Sequence, residues 1–202
     1  MQYGTHNSGT AGPLVWWQWV FTWIFQIFSK CQDRSIEEQL KLGVKVFNLQ
    51  IVWYRGNWHF SHGLCVYKEK FDDILDLLFE YSTPENPIYF QLRLDKNFFL
   101  GQNTDKFYEL SDNLAQLCSP QSTVIMLFGY IEGSGIYTYN SNLDIDLAER
   151  YWSLGWSKIE GNVKSWKDRI PLLKRHARLH NTSYKEIHKN NKYLMLDFFE
   201  IG

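Results

Sequence analysis

The stretch SIEEQLKLGVKVFNLQI, residues 35–51, joins a helix signal directly to a strand signal. Ser35 can cap a helix, and Glu38 follows three residues later, which is the spacing of a capping box. Gly43 then ends the helix, because glycine readily adopts the left-handed conformation that follows a last helical turn. Residues 44–53 are rich in β-branched and aromatic side chains, so the stretch predicts a helix that leads at once into a strand.

The same alternation of helices and strands continues along the chain. Apolar residues at helical spacing predict helices over 71–81 and 105–118, and two further segments, 144–153 and 162–180, are also predicted to be helical. Strands are predicted in NWHFSHG (57–63), PIYFQLRLD (87–95), STVIMLFGYIEG (122–133) and KYLMLDFFEIG (192–202), with a weaker one in YWSLGWSKI (151–159). Such alternation is typical of α/β proteins in which helices cover a parallel sheet, either open or closed into a barrel.

Length and composition fit one globular domain over residues 1–202. The chain is 45% hydrophobic, which is enough apolar material for a sizeable core. Its net charge of -1 provides no basic footprint, so we expect no nucleic-acid partner. The three cysteines, Cys31, Cys65 and Cys118, are scattered and form no CxxC pair, so we expect reduced thiols and no zinc site.

The sequence shows no recognisable secretory leader or membrane span, so we expect an intracellular or cytoplasmic location. The first dozen residues lack a basic start and an apolar run. The longest apolar stretch, LVWWQWVFTWIFQIF, has 15 residues and contains Gln18 and Gln26. A transmembrane helix needs about 20 consecutive apolar residues.

That tryptophan-rich stretch predicts a helix from about Leu14 to Lys30, with apolar side chains on all sides. One interpretation is a core helix or a contact with a partner protein. The other is a helix at a membrane surface, because a ring-rich segment suits the headgroup region. In that case the residues in contact with lipid are Trp16, Trp17, Trp19 and Trp23.

Polar residues recur on separate predicted strands or just past their ends. Such side chains are costly to bury unless they are paired. In sheets covered by helices in this way, the chemistry lies where the strands end. The recurrence therefore indicates one shared polar site, formed by His6, Asn48, Gln50, His62, Arg93, Asp95 and Asp197.

His6 and His62 are candidates for a general base and a general acid, since imidazole exists in both protonation states near neutral pH. The pair suits in-line displacement at phosphorus, in which one imidazole accepts a proton from the attacking hydroxyl and the other protonates the leaving oxygen. Asp197 is a candidate for orienting one imidazole; the alternative is that both histidines are structural. His176 and His180 are four residues apart, which fits either a metal pair or a solvated helical face.

Five blocks of the sequence resemble the phosphatidylinositol-specific phospholipase C X-domain family, in the order in which that family carries them. GTHNSGT (4–10) is similar to the Gly-Thr-His-Asp-Ser-Gly-Thr motif that opens bacterial members, and the stretch from Ser35 resembles the next block. HFSHGL (59–64) resembles the second histidine block. NPIYFQLRLDKN (86–97) and YLMLDFFEIG (193–202) resemble a later strand and the final strand. The resemblance covers roughly residues 3–130 and 192–202.

The resemblance implies an α/β fold that is a compact, irregular TIM-like (β/α) barrel. Few residues between Gly135 and Lys192 match the family, which indicates a barrel with fewer than eight regular strands. The family cleaves the glycerol–phosphate bond of phosphatidylinositol by attack of the inositol 2-hydroxyl, which gives a cyclic phosphate. By position, His6 matches the general base, His62 the general acid and Asp197 the carboxylate that orients the base.

The chain departs from the family at residues that carry charge around the phosphate. Asn7 and Asn48 replace acidic residues of bacterial members, and Gln50 replaces a phosphate-binding arginine there and an acidic calcium ligand in eukaryotic members. Neutral amides seldom hold a hard dication without carboxylates, so we expect no metal. Arg93 matches a bacterial lysine and can supply the missing positive charge. The alternative is an ion pair between Arg93 and Asp95, two residues apart on one face of a strand.

Two hypotheses of different kinds follow. The first is an enzyme of the phospholipase C type, which cleaves a phosphoinositide-type phosphodiester by His/His acid–base catalysis without metal or other cofactor. In that enzyme the substrate-binding residues are Asn7, Asn48, Gln50 and Asp95. The second is a catalytically inactive barrel that serves as a binding or structural module for protein partners in a larger assembly, such as a virus particle.

Overall fold

A computed structural model describes residues 2–21, 24, 26, 29–139, 147–149, 181–182, 185–186, 189–190, 192–196 and 199–200. The described strands are β1 (Gln2–Thr5), β2 (Val46–Tyr54), β3 (Asn57–His62), β4 (Cys65–Lys70), β5 (Ile88–Leu94), β6 (Val124–Ile131), β7 (Gly135–Tyr139), β8 (Leu147–Glu149) and β9 (Tyr193–Leu196). The described α-helices are α1 (Ile36–Lys41), α2 (Phe71–Tyr81) and α3 (Thr104–Leu117), and 3-10 turns cover Ser8–Thr10 and Trp16–Phe21. No helix in this part of the chain is long and apolar enough to cross a membrane.

The helix and the strand predicted from residues 35–51 are confirmed. Ser35 Oγ accepts a hydrogen bond from the Glu38 N–H at 3.2 Å, and Glu38 Oε2 accepts one from the Ser35 N–H at 2.9 Å. Gly43 has φ 84° just after α1, which is the left-handed conformation expected of a helix end. Strand β2 begins at Val46 and extends for nine residues.

The strands form one mixed sheet in the order β7-β6-β5-β2-β1-β9-β8, with β3 and β4 extending from β2 as a hairpin. The pairs β6–β5, β5–β2, β2–β1, β1–β9 and β9–β8 are parallel, whereas β2–β3, β3–β4 and β6–β7 are antiparallel. The predicted α/β class is therefore confirmed, although the sheet is mixed and not parallel throughout. Between the described strands, the sheet has β7 and β8 as its two ends and is not closed.

The helix predicted from Leu14 to Lys30 is wrong for its first part, whereas the described residues of its second part, Ile24, Gln26 and Ser29, are helical. Leu14 forms a β-bridge with Tyr67, and Trp16–Phe21 is a 3-10 turn. The cause is the buried side chain of Gln18, which donates to the Leu64 carbonyl at 2.6 Å and accepts from the Val66 N–H at 2.7 Å. These bonds fasten the segment along β4, where an α-helix beginning at Leu14 could not form the same pairing.

Three further predictions are corrected or lie outside the described residues. Strands β4 and β7 were not predicted, and Leu147–Glu149 is a strand although 144–153 was predicted to be helical. Parallel pairing with β9 accounts for that short strand, since pairing partners override local propensity. The predicted helix 162–180 and strand 151–159, with His176 and His180, lie outside the described residues. Cys31, Cys65 and Cys118 are buried, and the structure has no disulfide between them.

Strands β2 and β5 present two contrasting faces. On the helix face, Phe47, Leu49 and Ile51 of β2 and Phe90, Leu92 and Leu94 of β5 join a core with residues of α1, α2 and α3. On the opposite face, called the site face below, apolar residues give way to polar ones along each strand. In β2 the site face runs from Val46 to Asn48 and Gln50, and in β5 it runs from Tyr89 to Gln91 and Arg93. The polar ends of both strands lie at the same edge, because the strands are parallel.

Candidate active site

A tight turn after β1 carries His6 and Asn7. Asn7 has φ 46° and ψ 54°, a left-handed conformation that asparagine adopts more readily than most residues. Ser8 Oγ donates to the Thr5 carbonyl at 2.7 Å and accepts from the Asn48 N–H at 3.1 Å. The turn is therefore fastened both to its own strand and to β2, which explains why small polar residues fill it.

His6 is half-buried, and its backbone is fixed between two neighbours. Its N–H donates to the Leu196 carbonyl at 3.1 Å, and its own carbonyl accepts from Gln32 Nε2 at 2.9 Å. The same amide group of Gln32, which is fully buried, donates to the Leu196 carbonyl at 2.8 Å. Asp197, the predicted partner of the His6 ring, lies outside the described residues. The backbone of His6 is thus anchored to the residue that precedes Asp197 in the sequence.

His62 ends β3, and its ring is held by the segment before α1. Nδ1 lies 2.8 Å from the Ser29 carbonyl oxygen and 3.5 Å from Cys31 Sγ. A carbonyl oxygen only accepts hydrogen bonds, so Nδ1 carries the ring proton and Nε2 is the nitrogen that gains or loses one. Cys31 Sγ also accepts from Asn7 Nδ2 at 3.4 Å. The turn that carries His6 and the strand that carries His62 therefore meet at one buried thiol.

Two amide side chains extend this polar network along the site face. Asn48 Oδ1 accepts from the Asn7 N–H at 3.3 Å, and Asn48 Nδ2 donates to Gln91 Oε1 at 3.1 Å. Gln50 Nε2 donates to Asp95 Oδ1 at 2.6 Å. Among the described residues, nothing donates to the buried oxygens Asn7 Oδ1 and Gln50 Oε1. Because leaving such an oxygen unpaired is costly, the two oxygens mark places that suit a ligand hydroxyl.

Asp95 lies just past β5 and is only 1% exposed. Burial raises the pKa of its carboxyl from 3.8 to about 7, against the opposing effect of nearby Ser61 and Gln50. The carboxyl of Glu132 raises it further, because two like charges disfavour each other. Asp95 is therefore a carboxyl group that titrates near neutral pH.

Arg93 pairs with Glu132. Its Nη2 lies 3.2 Å from Glu132 Oε1, and its guanidinium carbon lies 5.5 Å from the centre of the Tyr130 ring. Asp95 instead accepts from Gln50, so the alternative ion pair between Arg93 and Asp95 is wrong for the described structure. The Arg93 side chain stays partly exposed, which leaves its guanidinium open to a second anionic partner.

Glu132, directly after β6, is the central acidic group of the site. Burial tends to raise its pKa, but the Lys96 N–H, which donates to Oε2 at 3.0 Å, and the charges of Arg93 and His62 bring the pKa below its ordinary value. The contribution of His62 means that its imidazole lies within electrostatic reach of Glu132.

Sequence reasoning missed Glu132 and Cys31. Glu132 follows a predicted strand in GYIEG, so the rule that selected Asp95 at the end of its strand would have selected Glu132 as well. Cys31 lies in a loop whose sequence carries no signal of its contact with His62. Its role emerges only from the tertiary structure.

The positions at which the family resemblance would place calcium do not suit that ion. The amide groups of Asn48 and Gln50 are already hydrogen-bonded to Gln91 and Asp95. The guanidinium of Arg93 occupies the third position at which the resemblance would place a calcium ligand. Calcium prefers several carboxylate and carbonyl oxygens, and a fixed cation beside the site opposes its binding. Within the described ranges no group of three or more His, Cys, Asp or Glu side chains is arranged to hold a metal ion.

Large apolar side chains are exposed beside His62. Trp16 is 70% exposed and Phe98 is 79% exposed, and Leu64, Phe99 and Leu100 are also exposed. The Phe98 N–H donates to the carbonyl of Gly63, the residue that follows His62, at 3.3 Å. The ring of Trp17 meets that of Phe99 edge-on, with centroids 5.3 Å apart. The side chains of Trp19 and Trp23 lie outside the described part. We call the five exposed residues the apolar rim: Trp16, Leu64, Phe98, Phe99 and Leu100.

The fold matches solved structures of bacterial phosphatidylinositol-specific phospholipases C. A mutant of the Staphylococcus aureus enzyme aligns with a TM-score of 0.62 at 15% sequence identity, covering 98% of this chain and 84% of that chain. The Listeria monocytogenes enzyme aligns with a TM-score of 0.60 at 10% identity, covering 98% of this chain and 87% of that chain. A further S. aureus structure, from work on modulation of that enzyme's membrane binding, aligns with a TM-score of 0.60 at 14% identity over 98% and 85% of the two chains. No family model and no curated protein matches the sequence. The resemblance is confirmed at the level of the fold.

Proposed function

We propose that the chain is a phosphodiesterase of the phospholipase C type that cleaves a phosphoinositide-type phosphodiester without a metal ion. Residues 1–202 would form one catalytic domain with an irregular TIM-like barrel fold. The observation that carries the proposal is the meeting of the His6 turn and His62 at Cys31, on a fold shared with bacterial phospholipases C.

The reaction assigns one proton transfer to each histidine. His6 accepts the proton of the inositol 2-hydroxyl as that oxygen forms a bond to phosphorus. The bond from phosphorus to the glycerol oxygen breaks, and His62 donates its Nε2 proton to that leaving oxygen. The products are a cyclic inositol phosphate and diacylglycerol, and Asp197 would orient His6 and stabilise its imidazolium.

The surroundings of His62 support its role as the acid. A general acid must begin the reaction protonated. The Ser29 carbonyl accepts from Nδ1 at 2.8 Å and so fixes the orientation of the ring, and the Glu132 carboxylate lies within electrostatic reach of it. An oriented ring next to a carboxylate suits the role of an acid that donates its proton from Nε2.

Arg93 would supply the positive charge that Gln50 does not. A guanidinium can bind two phosphate oxygens at once, and it keeps its charge at every physiological pH. The amides of Asn7, Asn48 and Gln50 would then bind the hydroxyl groups of the substrate, and Asp95 would hold the Gln50 amide in place. This assignment uses the unpaired oxygens of Asn7 and Gln50.

The apolar rim would place the site against a lipid surface. Leu64 and Phe98 lie at the turn that follows His62, since the Phe98 N–H donates to the Gly63 carbonyl, whereas the Trp16 ring lies against the Arg55 guanidinium. Gln18 fastens the segment that carries Trp16 and Trp17 to the hairpin that carries that histidine. Aromatic side chains with one apolar side suit the interface between headgroups and acyl chains. The membrane contact proposed here therefore involves Trp16 and Trp17 directly, and Trp19 and Trp23 by their place in the same segment.

The decisive experiment measures release of water-soluble inositol phosphate from phosphatidylinositol vesicles. We expect turnover by the natural sequence, and a loss of about 10²- to 10⁴-fold in His6→Ala and in His62→Ala. His59→Gln is the matched control, because His59 lies on the same strand as His62 but bonds the Tyr67 carbonyl at 3.0 Å, away from the site. Turnover per folded molecule should survive that change.

Absence of product from vesicles and from a panel of glycerophosphodiesters would reject the enzymatic proposal. Equal turnover in His62→Ala and the natural sequence would reject the role of His62. Vesicle sedimentation tests the apolar rim separately. The double substitution Trp16→Ser and Phe98→Ser should lower the fraction of protein bound to vesicles. Leu117→Ser, an exposed and distant change, should leave that fraction unchanged.

A further inference from the structure

Asp95 and Glu132 form a pair of carboxyl groups whose geometry points to a single shared proton. The two groups lie at the ends of adjacent parallel strands, with Leu94 opposite Ile131. Glu132 bonds to the residues on both sides of Asp95: its N–H donates to the Leu94 carbonyl at 3.2 Å, and its Oε2 accepts from the Lys96 N–H at 3.0 Å. Asp95 Oδ1 accepts from Gln50, whereas no described residue donates to its buried Oδ2. The free oxygen is therefore the place where a proton would reside.

The groups around Asp95 leave few other charges to consider. From β4, the Cys65 thiol has its pKa raised to about 11 by burial, and the Tyr67 phenol has its pKa raised well above its ordinary value by burial. Both are neutral at neutral pH. From β3, the buried and uncharged Ser61 hydroxyl lies next to Asp95 and opposes the rise in its pKa, without forming a hydrogen bond to Oδ2. The charged or titratable groups that remain are Arg93, Glu132 and His62.

We propose that Asp95 is a positioning residue that shares a proton with Glu132 and so sets how strongly Arg93 binds an anionic phosphodiester. The proposal rests on the assignment of Arg93 as the anion-binding group made under the proposed function. Asp95 does not touch the anion; it acts on Arg93 through Glu132.

The mechanism follows from counting charges. With one proton on the carboxyl pair, the charges of Arg93, Glu132 and Asp95 sum to zero, and a protonated Asp95 stabilises Glu132 by a hydrogen bond. Without that proton the sum is negative, so Arg93 is held more strongly by its carboxylate neighbours and an incoming anion is repelled. The pKa of Asp95 at about 7 places this change at physiological pH.

The test measures binding of diethyl phosphate, a phosphodiester that keeps its single negative charge over the whole range used, by NMR titration at about pH 5.5 and about pH 8.5. We expect the affinity of the natural sequence to fall about tenfold more between these values than that of Asp95→Asn. Asparagine is isosteric, can still accept from Gln50 and donate to Glu132, and carries no charge at either pH. The two proteins share every other ionisable group, so the difference between them isolates Asp95. Asp76→Asn, an exposed change on α2, should behave as the natural sequence does.

An equal loss of affinity in Asp95→Asn and in the natural sequence would overturn the proposal. A second measurement needs no ligand: the infrared carbonyl band of a protonated carboxylic acid should be present below and absent above about pH 7, and missing in Asp95→Asn. Its absence from the natural sequence at low pH, where only the ordinary exposed acids respond, would also overturn it. Neither readout depends on turnover, so a protein that releases no inositol phosphate can still confirm this inference, and an active protein can still refute it.

Discussion

Residues of β2 and β5 alternate between the helix face and the site face along each strand. Side chains are buried on both faces, but burial has different consequences for stability on each. On the helix face, Leu49 and Leu92 are buried among apolar side chains of the helices, where each contact stabilises the fold. On the site face, Gln50 is equally buried but keeps an oxygen without a donor. Buried polar atoms of this kind cost stability, so their presence marks the face on which selection has favoured chemistry over packing.

The largest effect should come from the helix face. Leu92→Ala removes a fully buried side chain from the core between the sheet and the helices, which should lower the free energy of unfolding by about 2–5 kcal/mol. Chemical denaturation measures this loss. Turnover per folded molecule should not change, since the side chain points away from the site. A large loss of turnover without loss of stability would show that the two faces are not separate in function.

Substitution of Arg93, which follows Leu92 on β5, should have the opposite effect: turnover should fall while stability changes little. Arg93→Ala removes the proposed phosphate-binding cation, so we expect turnover on phosphatidylinositol vesicles to fall about 10²- to 10³-fold. The partly exposed ion pair with Glu132 contributes at most about 1 kcal/mol to stability, so unfolding should change little. An unchanged turnover would remove Arg93 from the mechanism, whatever the stability of the variant.

At Asp95, the stability that is lost by burying a polar group on the site face depends on pH and can therefore be measured. Its pKa is raised in the folded protein from 3.8 to about 7, so between these values the folded state binds more protons than the unfolded state. The free energy of unfolding should therefore fall as pH rises from about 4 to 7, by up to about 4 kcal/mol. Asp95→Asn should abolish this part of the fall and make the protein more stable than the natural sequence at pH about 8. Parallel stability profiles of the two proteins would contradict the burial of an ionisable carboxyl.

Much of the helix face could be predicted from the sequence, because local patterns determine it. The capping box at Ser35, the glycine after α1 and the apolar spacing of 71–81 are all short-range signals, and the structure has the elements there. The helix prediction for the first part of the tryptophan-rich segment, residues 14–21, was wrong for the converse reason. Its composition favours a helix, but the bonds of Gln18 to the hairpin of β3 and β4 depend on a distant part of the chain.

The residues that lie on the site face could be predicted from the sequence, but the partners with which they pair could not. Asn48, Gln50 and Arg93 follow from the alternation of side chains along strands. Whether Arg93 pairs with Asp95 or with Glu132 depends instead on the register between β5 and β6, which shifts between Phe90 and Gln91. No local pattern encodes that shift, so the partner of Arg93 required the structure. The convergence of His6 with Asp197 stays a prediction, since Asp197 lies outside the described residues.

The smallest expected effect concerns the turn that joins the two faces. Gly9 packs against the ring of Phe60 so closely that an added Cβ would overlap it, whereas nothing lies within 4 Å of the corresponding position at Gly12. Gly9→Ala should therefore cost about 1–3 kcal/mol in the free energy of unfolding, and Gly12→Ala should be neutral within about 1 kcal/mol. Because Phe60 lies two residues from His62 on β3, its displacement should also reduce turnover per folded molecule. If Gly9→Ala lowers stability alone, the close packing of this turn serves the fold, and the position of His62 depends on Ser29 and Cys31 instead.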